Sequence, residues 1–162
     1  MSENTTTAKA AKPRSTTKQA NSVEFTADER AAIKEYSNEL KTNARRGGKA
    51  TKADGLTDLM AQIEKMVEPD RTMAREVHEL VMAAVPQLTP KTWYGMPAYA
   101  FNGDTICFFQ PANKFKARFS TLGFGDKAKL DDGDMWPIYY SLKELTPEVR
   151  DRITELVRRA VS

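Results

Sequence analysis

The sequence predicts an α+β fold, an antiparallel sheet of four to five strands packed against helices, with extra helices at the N-terminal end. Three observations carry this expectation. Apolar residues recur at helical spacing up to about residue 85; from Thr92 the pattern becomes extended and aromatic-rich, broken by an Asn-Gly turn; after Thr146-Pro147 the helical spacing returns. Of 14 aromatic residues, 12 lie between Trp93 and Tyr140, so the sheet is expected to hold most of the packing mass.

Residues 1–22 are rich in Thr, Ala, Lys and Ser, with no aromatic and almost no aliphatic bulk. Such a segment cannot bury enough apolar area to offset the entropy of ordering, and a disordered basic tail is expected. It carries four basic residues against Glu3, a local +3 equal to the whole formal charge, leaving 21 basic and 21 acidic residues in the remainder. A charge-balanced body does not argue for nucleic acid.

Residues 23–68 read as a helical extension. Thr26-Ala27-Asp28-Glu29 fits a capping box, and Arg45-Arg46 before Gly47-Gly48 supplies the cation-then-glycine stop of a helix end. Ile33, Tyr36 and Leu40 recur between them as the expected inward stripe. Gly47 to Gly55 reads as a loop, without the Gly-x4-Gly-Lys-Ser/Thr order of a phosphate loop. Leu56, Leu59, Met60, Ile63 and Met66 mark a second amphipathic helix ended by Glu68-Pro69.

Residues 69–162 read as the α+β domain. A third helix runs from Asp70 to Val85, with Met73, Val77, Leu80, Val81 and Ala84 inward and Pro86 closing it. Tyr99 to Phe101 leads through Asn102-Gly103 to Thr105–Phe109, a hairpin signal. Ile106 and Phe108 are expected on one face of that strand, Cys107 and Phe109 on the other. Phe115, Ala117 and Phe119 alternate with Lys116 and Arg118 and read as the next strand, with one wet face. Leu122-Gly123-Phe124-Gly125 then breaks the sheet, Asp126 to Leu130 reads as a short helical turn, and a last strand spans Trp136 to Leu142. Thr146-Pro147-Glu148 opens the terminal helix, whose Val149, Ile153, Leu156, Val157 and Ala160 face inward.

No apolar run approaches the ~18 to 20 residues that cross a bilayer, and the lone Cys107 sits in a strand-like apolar run. Both features point to a cytoplasmic protein with a buried structural thiol. The single histidine, His78, has no second His or Cys to complete a zinc-type site, and no Gly-x-Ser-x-Gly elbow is present for a serine nucleophile.

Two residue sets remain as candidate sites. Asp126, Asp131, Asp132 and Asp134 surround a glycine-containing turn and offer hard oxygen ligands suited to ferrous iron, magnesium or calcium, although their spacing is not that of a calcium loop. Trp93, Tyr94, Met96, Tyr99, Trp136 and Tyr140 would give apolar walls with polar tips for a small molecule or a protein partner. Lys116 and Arg118 are too few to form a nucleic-acid groove. No spacing specifies an enzyme acting on a small metabolite.

Thr92-Trp93-Tyr94-Gly95-Met96-Pro97-Ala98-Tyr99, Asn102-Gly103, Phe108-Phe109 and Leu142-Lys143-Glu144-Leu145 lie in a region, about Asp70 to Val161, that resembles the YdhG-like domain family of unknown function. From Phe25 onward the chain is similar to a longer version with a helical front end. Some members are described as frataxin-like intracellular iron chaperones. The resemblance implies a non-enzymatic role, with Fe2+ held weakly by surface carboxylates and delivered to an iron-acceptor protein.

Overall fold

The computed structural model describes residues 24–162, and the expected disordered tail lies outside them. The elements run α1 (Ala27–Arg45), α2 (Lys52–Lys65), α3 (Asp70–Ala84), β1 (Thr89–Trp93), β2 (Met96–Phe101), β3 (Asp104–Gln110), β4 (Ser120–Phe124), β5 (Tyr139–Leu142) and α4 (Pro147–Ala160). The five strands form one antiparallel sheet in the order β1-β2-β3-β4-β5. The α+β class with N-terminal helices is therefore what the chain adopts.

Helices α2, α3 and α4 cover one face of the sheet. Leu59 and Ile63 from α2, Val77 and Val81 from α3, and Ile153 and Val157 from α4 meet Tyr99, Cys107, Phe109 and Leu122 in a single buried cluster. Burying each of the larger side chains contributes about 1.5–3 kcal/mol before the entropy of ordering is charged against it. The opposite face carries a smaller cluster, Met96, Ala98 and Phe108, with Trp93, Tyr94 and Phe115 around it.

The local signals of helix ends are realised. Thr26 and Glu29 form the expected capping box, and Thr146 caps α4 ahead of Pro147. Asn102 and Gly103 both take positive φ in the two-residue connection of β2 to β3, the mirror-image turn that matches strand twist.

Seven expectations are corrected. Helix α2 begins at Lys52 rather than after Gly55, because Thr51 and Asp54 form a second capping box. Gly55 sits inside this helix where a Cβ would collide with the Pro90 carbonyl, so its bare backbone is what lets α2 lie against β1. A further strand, β1, precedes the hairpin, joined to β2 by a two-residue turn at Tyr94-Gly95. Residues 115–119 are not a strand: Lys116 is left-handed at φ 50° and the strand starts at Ser120. Leu122-Gly123-Phe124, expected to break the sheet, is the body of β4, with Gly123 leaving room for the Phe108 ring. Finally, a bulge pairs Tyr99 with Cys107 but Ala100 with Thr105, so Ile106 is the extra residue and joins Cys107 in the main core instead of Phe108 opposite. Asp126 to Leu130 forms no helix, and the last strand is shorter than expected, starting after Pro137, which has no amide to donate.

Candidate functional site

Helix α1 meets the domain with a polar stripe. Ala32, Glu35, Tyr36 and Glu39 share one helical face by spacing; Ala32 is its only buried residue, and Glu35, Tyr36 and Glu39 are half-buried against the domain. Ile33 and Leu40, expected inward, are 42 % and 52 % exposed. The reason lies in what the polar stripe finds. The β1–β2 turn presents two successive backbone amides, and the Glu39 carboxylate accepts from both, Tyr94 N at 3.1 Å and Gly95 N at 2.8 Å. The Tyr36 ring stacks on Tyr94 at 4.3 Å and 11°. Lys114, from the β3–β4 loop, donates to the Glu35 carboxylate and to the Tyr94 carbonyl at 3.4 Å. These charge-assisted bonds outweigh the apolar gain from turning two aliphatic side chains inward.

Tyr94 holds φ 52° and Gly95 φ 72°. A bulky residue in the left-handed region is strained, and such strain concentrates where a structure is committed to a purpose. Gly95 also has no room for a side chain, since a Cβ would run into the Glu35 carboxylate and the Lys114 ammonium.

Beneath this contact lies a cleft of about 350 Å3, bounded by Glu35, Gln62, Lys65, Asp70, Asn113 and Lys114, with Met66, Val67, Gly95 and Pro111 supplying its apolar wall. A larger groove of about 740 Å3 runs on between α1, α2 and β1 and shares Glu35, Gln62 and Lys65 with it. Asp70, 4 % exposed at the start of α3, accepts from Asn113 N at 2.8 Å and from Ser120 Oγ at 2.9 Å. Ser120 Oγ in turn accepts from Ala112 N at 3.1 Å. A buried carboxylate with both oxygens engaged is stable there, and it fixes the loop that carries Lys114.

The sequence-chosen residues fall elsewhere. Asp126, Asp131, Asp132 and Asp134 are all exposed, and among the described residues Asp126 approaches only Lys127 as a cationic partner, at 3.8 Å. Among the described residues no group of three or more His, Cys, Asp or Glu side chains is placed to hold a metal ion. The six-residue aromatic pocket does not form, because the sheet divides it. Trp93, Tyr94 and Met96 pack on the smaller face, where Trp93 meets Phe108 edge-on at 5.2 Å. Tyr99, Trp136 and Tyr140 belong to the main core on the other side.

Tyr99 is fully buried and its hydroxyl lies 3.1 Å from His78 Nδ1. Burial pushes the Tyr99 phenol well above its ordinary range, lowers His78, and raises the Cys107 thiol to about 12. None of the three clefts described among residues 24–162 is lined by these groups, and Tyr99 and Cys107 are packed in the main core.

The cleft residues were missed because they come from α1, α2, α3 and the β3–β4 loop, which only the tertiary fold brings together. Two signals were available. Glu35 and Glu39 are like charges at i, i+4 on one helix, a mildly unfavourable pair unless something outside the helix receives them. The Tyr94-Gly95 pair between two extended runs also has hairpin spacing. No family model, curated protein or solved structure matches the chain, so the reading of this cleft stands on its own residues.

Proposed function

We propose that this is a non-enzymatic binding protein whose ligand, a small polar molecule or a side chain of a partner, enters the cleft beneath α1. One observation carries the reading: Glu35, Gln62, Lys65, Asp70, Asn113 and Lys114, drawn from four separate stretches of chain, line one half-open cleft with an apolar wall. Sites with a largely apolar lining and a few convergent polar groups are the usual form of small-ligand sites. The test is an amide-resonance titration with nucleotides, amino acids and sugar phosphates. Gln62, Lys65, Asn113 and Lys114 are expected to shift together with at least one of them. If none of the panel moves these four at millimolar concentration, the reading falls.

A second reading follows from the resemblance to the YdhG-like family, in which ferrous iron rides on Asp126, Asp131, Asp132 and Asp134 for delivery to an acceptor protein. It is favoured by the exposure of all four carboxylates, three of which pair with no cation among the described residues. An anaerobic calorimetric titration decides it: saturable, iron-selective heat that vanishes when the four acids become asparagines supports it, and heat shared equally with magnesium sinks it.

A further inference from the structure

We propose that the Tyr94-Gly95 turn and Lys114 form a cradle for an oxyanion, a carboxylate or phosphoryl group, and that α1 is a hinged internal occupant whose Glu39 and Glu35 fill it until an external anion takes their place. The proposal rests on the reading of the cleft as a ligand site and adds the class of ligand and the gate.

The cradle already demonstrates its chemistry, for it holds a carboxylate now. Two adjacent amides each donate to a separate oxygen of Glu39, at 3.1 and 2.8 Å, the two-pronged geometry suited to a planar carboxylate or a phosphoryl group. Turn amides converging on one side make anion-binding concavities without any cationic side chain, and here a cation is added: Lys114 engages Glu35 next to Gly95. The strained φ of Tyr94 keeps both amides aimed at the same point.

The present occupant is built to leave. Apart from Ala32, α1 buries no residue, and its polar and aromatic attachments among the described residues are the two carboxylates, the Tyr36 stack, a Lys116–Asp28 bridge at 2.9 Å and an Arg46–Asp58 bridge at its C-terminal end. Behind that last bridge stand Gly47 and Gly48, both at φ 68° with open space around them, where the backbone can turn without disturbing packing. Displacement removes two negative charges from the cleft rim. Lys114 and Lys65 stay, while Asp70 remains bound to Asn113 and Ser120. The opened site is therefore cationic, and it favours the kind of group that opens it.

The test uses full-length protein, the Tyr94 and Gly95 amide resonances, and titration with inorganic phosphate and with glutarate at constant ionic strength against chloride. In the E35Q/E39Q variant both resonances should shift saturably, at anion concentrations roughly tenfold or more below those needed in the unmodified protein, since charge-assisted bonds of this size no longer compete. Adding K114A should weaken the response by roughly tenfold. In the unmodified protein, saturating anion should speed hydrogen exchange along α1 and leave α3 and the sheet protected, a readout independent of how well the variant folds. A stronger response to phosphate assigns a phosphoryl ligand, a stronger response to glutarate a carboxylate, and either supports the cradle. The proposal is overturned if Tyr94 and Gly95 respond no differently to these anions than to chloride in both proteins. Should Gln62 and Asn113 then still answer to an uncharged compound, the cleft reading survives without the cradle; should they not, both are lost.

Discussion

The sheet with α2–α4 and the helix α1 are held by opposite means. In the first, Ile63, Val77, Tyr99, Phe109 and Val157 are sealed from solvent, so cohesion scales with apolar area and is not screened by ions. In the second, a helix of 19 residues turns carboxylates toward the domain and leaves Ile33 and Leu40 in water. The difference teaches that the body is made to persist and the front helix to exchange. Hydrophobic contacts are lost only by unfolding, whereas hydrogen bonds to a carboxylate are lost to any competitor of the same chemistry.

The contrast is broken most severely from the core. Phe109→Ala should destabilise the whole molecule by about 3–5 kcal/mol in a denaturant titration, because it opens a cavity between the sheet and its helices. An effect confined to α1 would refute the division. Gly55→Ala comes next. Helix propensity alone predicts a gain of roughly 0.5–1 kcal/mol, but the new Cβ meets the Pro90 carbonyl, and a backbone atom gives little. A net loss of about 1–3 kcal/mol is expected in thermal unfolding.

Glu39→Gln should act on α1 alone. Its amide exchange is expected to rise roughly tenfold to a hundredfold, from loss of charge-assisted bonds worth about 1.5–3 kcal/mol, while the midpoint of global unfolding stays within error. A drop in that midpoint as large as the exchange effect would mean that α1 is integral to the core. The smallest expected effect concerns the one histidine. Burial holds His78 below its ordinary 6.5, so the unfolded chain takes up the proton first as pH falls. Stability should be full above pH 6.5, decline as pH drops through that value, and level off below the lowered folded value. His78→Gln should flatten the curve in that window, and a slope of the opposite sign would contradict the burial seen here.

Much of this division was legible in the sequence, and the illegible part is physical in origin. Helix ends were readable because a capping box or a Pro at the first helical position acts within a few residues, as at Thr26 and Thr146. The stripes of α3 and α4 were readable because burial there follows apolar type: Val77, Val81, Ile153 and Val157 all lie where the periodicity put them. The orientation of α1 was not, since its partners are turn amides 55 and 56 residues away, and no periodicity encodes a backbone donor. The aromatic set failed for a related reason. Aromatic type says that a ring is buried but not on which side of a strand, and alternation along β2, which sends Met96 to one face and Tyr99 to the other, together with the unrecognised β1 that carries Trp93, divided the six between two faces. The strand expected at residues 115–119 shows the reverse error, an alternating pattern overruled by a loop that Asp70 ties down.

The strand order carries one more consequence, in time instead of energy. Each strand of the β1-β2-β3-β4-β5 meander pairs with its neighbour in the chain, so every sheet contact closes a short loop and needs little entropy to begin. The seam between α1 and the Tyr94-Gly95 turn closes a much longer loop and has no purchase until that turn exists. The docking of α1 therefore depends on the sheet in a way the sheet does not depend on α1: the two amides that receive Glu39 converge only where β1 has paired with β2.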